Sequence, residues 1–359
     1  MKIVKIVLPF ALVSLFCLSF FSCSKDDNPL VPSDTTYHFD SARYNWSTIK
    51  LSDRPQNLLV LDTNKVFIIM PYSLQKFDGL NITNYRLPDS ITAFSIGGTD
   101  ENNIYIGGSN WNSENTKPMI VHSNNFTFSV ENVPNPYNLN FSISSIFAKE
   151  NEVYFSTRHG RSIIVKSNGS YSYYQIDSVF ASDTAAGFWT FYAGGDFFYK
   201  NGIIKCAYFH TTINNIGTSG FGFCKVLNFT GNKWNSEYYK NFDDANPMLV
   251  LRSFGNELYG ILNNEIYKYT SSDFIKIIGN ISPRIYATGI PGVDQNNFIT
   301  SALLPDGNRM MINWNGFKWS KELTELKEPL YKGAASKGNY YILYNYDYYC
   351  ELKIGRPKN

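Results

Sequence analysis

The sequence has no Gly-x-Ser-x-Gly elbow, no phosphate-binding glycine loop and no Cys/His spacing of a zinc site. Serine-hydrolase, nucleotide-dependent and zinc chemistry therefore have no local signature, and no cofactor is expected. Asp and Glu are scattered, without an obvious carboxylate pair, so no catalytic residue is assigned. Charged residues make up only 17% of the chain. No basic run forms an electrostatic footprint for nucleic acid or for an anionic membrane surface. No segment repeats its apolar residues every 3.6 positions, so helix content should be very low.

What is present is aromatic and turn-rich. Aromatics reach 16%, and Asn, Ser, Tyr and Gly are abundant. That mixture suits many short strands joined by tight turns. The strongest turn signal is Asn315-Gly316, because both residue types accept positive φ at low cost. Met310, Ile312 and Trp314 alternate before it, and Phe317 and Trp319 alternate after it. Period-two alternation marks a strand with two different faces.

Weaker copies recur. Gly79, Asn125, Gly169, Gly231 and Ser272 occupy the turn position of Gly316, at spacings of 46, 44, 62, 41 and 44 residues. Four of the five intervals fit four-stranded propeller blades, and the fifth points to an insertion in blade four. The expected fold is all-β: a single β-propeller over residues 37–359, with seven four-stranded blades. Blade four leaves six or eight open, because Phe188 to Tyr192 and Phe197 to Lys200 compete for its first strand. The last blade, Leu330 to Gly355, offers only three strands. Tyr44 to Leu51 looks like Phe317 to Leu323, which makes Trp46 the counterpart of Trp319. An N-terminal strand is therefore expected to close the ring, because an open blade would expose its edge.

The N-terminus carries an address. Lys2 and Lys5 precede Ile6 to Phe21, a stretch without charge that is short for a membrane span. It ends at Ser22-Cys23-Ser24-Lys25-Asp26-Asp27. This resembles a bacterial lipoprotein signal of the type found on Bacteroidetes surface lipoproteins. Phe20 departs from the usual leucine of that pattern, and Phe21 is bulky where small residues are common. The resemblance implies a signal peptide at 1–22, lipidation of Cys23 and a lipidated tether over 23–36. It also implies attachment to the outer membrane, with exposure on the cell surface as one orientation. Removing Lys2 and Lys5 brings the 32 basic residues to 30, equal to the 30 acidic ones.

Cys206, Cys224 and Cys350 remain after the signal and Cys23 are set aside. An odd count means at least one free thiol or an intermolecular bond. Cys206 and Cys224 fall in the inserted blade, where a disulfide and two buried small side chains are equally open.

The form Asn102-x-Ile104-Tyr105-Ile106-Gly107-Gly108 resembles kelch-like and regulator-type propeller repeats. It matches neither strictly, the sialidase Asp-box and the WD40 dipeptide are absent, and no specific function is implied. Propellers bind ligands where loops of several blades converge. The loops between second and third strands carry Trp111 in blade two, Arg158, His159 and Arg161 in blade three, and His210 in blade four. Such aromatic and planar hydrogen-bonding groups suit a glycan or a protein ligand. Equally, these are polar surface loops, as in any exported domain. His38 and His122 read as ordinary strand residues. The expected function is non-catalytic binding by a monomeric, membrane-anchored propeller. A polysaccharide hydrolase or lyase, and a subunit of an envelope complex, are the alternatives.

Overall fold

The structure, a computed structural model, describes residues 39–358 except 111–115, 137–140, 158–161, 177–187, 215–219, 243–249, 263–264, 279–283, 286–290, 305–306, 329, 331 and 347–348. Side chains are additionally left undescribed at 188–195, 210–214, 220–223, 241–242, 250, 262, 284–285, 346 and 349. Every described element is a strand. After β1 (Tyr44–Lys50), blade one is β2 (Asn57–Asp62), β3 (Lys65–Ile69), β4 (Ser73–Phe77) and β5 (Ile82–Arg86). Blade two is β6 (Thr92–Asp100), β7 (Asn103–Asn110), β8 (Lys117–Asn124) and β9 (Thr127–Glu131). Blade three is β10 (Ile143–Lys149), β11 (Glu152–Thr157), β12 (Ser162–Ser167) and β13 (Ser170–Gln175). Blade four is β14 (Phe188–Lys200), β15 (Ile203–Asn214), β16 (Gly220–Thr230) and β17 (Lys233–Phe242). Blade five is β18 (Val250–Phe254), β19 (Glu257–Leu262), β20 (Glu265–Tyr269) and β21 (Phe274–Ile278). Blade six splits its first strand into β22 (Arg284–Ile285) and β23 (Gly292–Asp294), followed by β24 (Asn297–Leu303), β25 (Arg309–Trp314) and β26 (Trp319–Leu326). Blade seven is β27 (Lys332–Ser336), β28 (Asn339–Tyr346) and β29 (Tyr349–Pro357), with β1 as its outer strand.

All pairings within the blades are antiparallel, and the first strands of successive blades pack against one another in a closed ring. The chain is a seven-bladed β-propeller. Its seam closes as the sequence requires: β1 pairs with β29 from Tyr44–Pro357 to Lys50–Glu351. The ladder also aligns the two tryptophans. Phe298, Trp314 and Trp319 stand in register across blade six, and Tyr340, Gly355 and Trp46 stand in register across blade seven. Gly355 takes the place of Trp314 because a Cβ there would lie 2.7 Å from the Trp46 ring.

Buried apolar residues fill the spaces between blades, so each sheet is covered on both faces. One cluster joins Val66, Ile68 and Phe77 of blade one to Tyr341, Leu352 and Ile354 of blade seven. The alternating Ile-Tyr-Ile of β7 divides the same way. Ile104 and Ile106 face blade one, and Tyr105 faces blade three. The two glycines that follow permit close approach. A Cβ on Gly107 would meet Ile143 at 2.4 Å, and one on Gly108 would meet the Thr92 carbonyl oxygen at 2.1 Å.

Blade four differs from a simple insertion. Its strands are 13, 12, 11 and 10 residues long, against five to nine residues for the inner, second, third and outer strands of blades one to three. The two candidates for its first strand are halves of one strand, joined by a bulge between Ala193 and Asp196. The extra residues lengthen the whole sheet at one end. His210 accordingly sits inside β15, paired with Tyr192 and Phe223, and not in a loop.

Cys206 and Cys224 are both free and fully buried. Cys206 stands opposite Leu227, and Cys224 stands opposite Phe209. That offset of three residues sends the thiols to opposite faces of the sheet. Cys206 packs toward Tyr154 and Val165 of blade three, and Cys224 toward Leu251 and Tyr269 of blade five. No disulfide links them, and they act as small apolar core residues.

Candidate functional site

A four-stranded meander puts the connections between first and second strands, and between third and fourth, on one face. We call this the turn face. The opposite face carries the second-to-third loops and the links between blades, and we call it the loop face. Trp111, Arg158, His159 and Arg161 lie outside the described residues. His210 is described in its backbone only. The structure therefore does not bring these five together, nor separate them. Cys23 also lies outside the described residues.

Among the described residues, two small crevices open on the turn face. One, of about 240 Å³, lies between blades three and four and is lined by Lys149, Glu150, Tyr154 and Tyr199. The other, of about 360 Å³, lies between blades two and three beside Asn103, Tyr105, Glu150 and Lys166. Their charged groups are already engaged. The Lys149 ammonium sits 3.3 Å from the Tyr199 ring centroid. Lys166 donates to both oxygens of Glu131 at 2.6 and 2.7 Å, and the Tyr171 hydroxyl donates to Glu131 at 2.5 Å. His122 stacks on Tyr105 at 4.5 Å, with its Nδ1 3.6 Å from Glu131. Burial alone would raise the Glu131 carboxyl, but the hydrogen bonds from Lys166 and Tyr171 hold it below the usual range. Burial, followed by the Lys166 charge, lowers His122. This cluster spans two blades and clamps them, which is a structural role.

A third arrangement lies on the innermost strands. Asp196 on β14, Arg252 on β18 and Lys332 on β27 are each half-buried, and they belong to blades four, five and seven. Blades four and seven are not neighbours, so the electrostatic interaction of Asp196 with Lys332 runs across the central channel. Asp196 accepts a hydrogen bond from the Ser253 backbone N–H at 2.7 Å. The Ser253 hydroxyl in turn donates to the Phe197 carbonyl at 2.8 Å, which fixes blade five against blade four. Among the described residues, the Lys332 ammonium has no hydrogen-bond partner. Burial and the neighbouring Arg252 charge push its pKa down to about 8, against the pull of Asp196. Burial raises the Asp196 carboxyl, with Arg252 opposing it. Lys332 opens β27, Arg252 is the middle residue of β18, and Asp196 lies four residues from the turn-face end of β14, so the cluster sits inside the channel. Among the described residues the cluster combines two cations with one carboxylate, and Arg252 also donates to the Leu251 carbonyl at 2.7 Å. That site is suited to a carboxylate or sulfate group. Among the described residues, no three His, Cys, Asp or Glu side chains gather as metal ligands.

No family model matches the chain, and no curated protein matches it in sequence. Solved structures match it in fold. A chain of the mitotic checkpoint complex superposes with TM-score 0.58 at 9% identity, covering 90% of this chain and 98% of that one. The extracellular domain of a putative one-component system from B. thetaiotaomicron gives 0.53 at 10%, covering 86% of this chain and 40% of that one. The Niastella koreensis GH74 enzyme gives 0.52 at 12%, covering 84% and 52%. The kinship is one of fold. Propellers that serve such different purposes share the ring and differ in loops and channel.

Proposed function

We propose that the chain is a lipid-anchored outer-membrane propeller that binds an acidic glycan, without catalysis, inside its central channel. The observation that carries this reading is the convergence of Arg252 and Lys332 on Asp196 across the channel. A ligand carboxylate or sulfate would be attracted to Lys332 and Arg252, with Lys332 donating to it. Among the described residues the cluster supplies one carboxylate, whereas glycoside hydrolysis normally uses two carboxyl groups about 5–9 Å apart. We assign Trp111 and Arg158 to Arg161 to the same binding surface, where they would extend the contact along a sugar chain. The lipoprotein signal supports anchorage through Cys23.

A glycan array probed with the purified protein tests the ligand. Uronate-bearing or sulfated glycans should bind above neutral ones, and Lys332→Met should abolish that preference. Equal binding of neutral glycans, unaffected by Lys332→Met, refutes the site. Metabolic labelling with a radioactive fatty acid tests the anchor: Cys23→Ala should lose the label, and a retained label refutes it.

A further inference from the structure

We infer that the turn face of blades six, seven and one rests on the lipid bilayer, with Leu80 and Phe317 inserted at the boundary between headgroups and acyl chains. This rests on the anchorage through Cys23 proposed above.

The two residues occupy the same position in matching loops. In blade one, Phe77 and Ile82 pair, and the loop between them is Asp78-Gly79-Leu80-Asn81. In blade six, Trp314 and Trp319 pair around Asn315-Gly316-Phe317-Lys318. Each loop is held by its first side chain. Asp78 Oδ1 accepts from the N–H groups of Leu80 and Asn81 at 2.9 and 2.7 Å. Asn315 Oδ1 accepts from those of Phe317 and Lys318 at 3.0 and 2.8 Å. Glycine follows in both, at φ +101° and +91°. The third residue is thereby thrust outward, and Leu80 is 87% exposed and Phe317 89%. These are the two most exposed large apolar side chains among the described residues.

The other blades do not repeat this. Blade five builds the same four-residue loop, Thr270 to Asp273, with Ser272 at the outward position. The corresponding turns of blades three and four are Asn168-Gly169 and Gly231-Asn232. In blade two, Phe126 folds back to stack on Tyr85 at 4.2 Å. The apolar tips thus flank blade seven, the one blade whose outer strand is N-terminal.

The chain also enters there. As an outer strand, β1 begins on the turn face. The segment before it crosses to blade six, where the Asp40 N–H donates to the Trp319 carbonyl and the Lys321 N–H donates to the Asp40 carbonyl, each at 3.0 Å. The first described residue, Phe39, therefore lies beside the strand that follows the Phe317 loop. Residues 24–38 separate it from Cys23, and that span reaches at most about 50 Å. Two apolar side chains at the entry point of a lipidated chain add a second membrane signal to a first that is marginal alone when it is a single acyl chain. Lys318, 69% exposed beside Phe317, can keep its ammonium among the headgroups. The loop face is then turned away from the bilayer, where a large glycan can reach it.

The test uses the full lipidated protein in phosphatidylethanolamine–phosphatidylglycerol vesicles that carry a doxyl-labelled lipid. A fluorophore is placed on Leu80→Cys, on Phe317→Cys, or on Tyr72→Cys, the last an exposed position on the loop face. Lipid quenching should be at least about threefold stronger at 80 and 317 than at 72. Equal quenching at all three, or strong quenching only at 72, overturns the seat. So does a dimer in detergent that dissolves on Phe317→Ser, which would assign the tips to a second copy of the chain. If Cys23 takes no lipid, the anchor fails and the seat with it. If Cys23 is lipidated and the labels at 80 and 317 stay unquenched, the seat alone fails.

Discussion

Replacing Glu322 by alanine should open the ring at its seam. Glu322 lies on β26 with 6% of its surface exposed, and its carboxylate accepts four hydrogen bonds. Three come from the closing segment: the backbone N–H of Arg43 at 3.0 Å, that of Tyr44 at 3.2 Å and the Trp46 indole N–H at 3.2 Å. The fourth comes from the Ser320 hydroxyl at 2.7 Å. Behind it, Asn313 accepts from the Arg43 guanidinium at 3.1 Å and donates to Asn297, which also accepts from Tyr340 at 2.9 Å. The N–H of the half-exposed Trp46 and that of exposed Arg43 can find water after the substitution, whereas that of buried Tyr44 cannot. Hydrogen bonds to a charged group contribute about 1.5–3 kcal/mol each, and rehydration recovers part of the loss, so Glu322→Ala should cost about 3–4 kcal/mol. Glu322→Gln keeps one acceptor oxygen and should cost about half of that. Urea unfolding followed by tryptophan fluorescence measures this, with the exposed Asp89→Ala as control. A change within about 0.5 kcal/mol of the parent, or equal to the control, would refute the latch.

Three further outcomes follow from the same geometry. Gly355→Ala should destabilise the seam by about 1–3 kcal/mol, since its Cβ would fall 2.7 Å from the Trp46 ring; combination with Trp46→Ala should relieve the clash. Acidification should weaken the clamp between blades two and three. Glu131 is held below the usual carboxylate value and His122 below the usual histidine value, so the unfolded chain takes up protons first. Their contribution is complete above the ordinary histidine range and is lost as pH falls through the two folded values. Melting temperature measured from pH 7 to pH 4 should therefore fall less steeply in the double variant Glu131→Gln, His122→Phe than in the parent. Finally, Cys206 and Cys224 should resist a thiol reagent until the protein unfolds, because burial raises both thiols. A shift between reducing and non-reducing gels would contradict their placement on opposite faces of blade four.

Much of the ring could be read from residue order because its information is local. A hairpin needs a turn residue that tolerates positive φ and an alternation on either side, and both fit within a dozen residues. Trp46 was recognisable as the partner of the last blade because its strand repeats the pattern after Gly316. The Gly316 turn itself is wider than the Asn-Gly pair implies: Gly316 alone has positive φ, and Asn315 works through its side chain. Blade four misled because spacing between turns cannot distinguish an added element from strands that are each several residues longer. The disulfide was open because adjacency of strands is visible in sequence and the three-residue register offset is not.

The functional features were harder to see for the same reason. Asp196, Arg252 and Lys332 come from three separated strands, and nothing in the neighbourhood of any one of them announces the other two. Glu322 sits in Ser320-Lys321-Glu322-Leu323, which looks like a solvated strand. Its burial depends on a segment almost 280 residues earlier arriving across the seam. The residues that looked chemical from their composition, Trp111, Arg158, His159 and Arg161, lie outside the described residues, and the channel cations stand on inner strands that no local motif marks.

Calorimetric titration of the protein with an oligo-uronate at pH 7 and pH 9.5 tests the central claim most directly. Lys332, with its pKa near 8, is largely charged at the lower pH and loses charge toward the higher one. The account predicts affinity weaker by about tenfold at pH 9.5, and a Lys332→Met variant that is weak at both values. Binding that is unchanged by pH and by Lys332→Met, or that is as tight for the uncharged sugar, would contradict it.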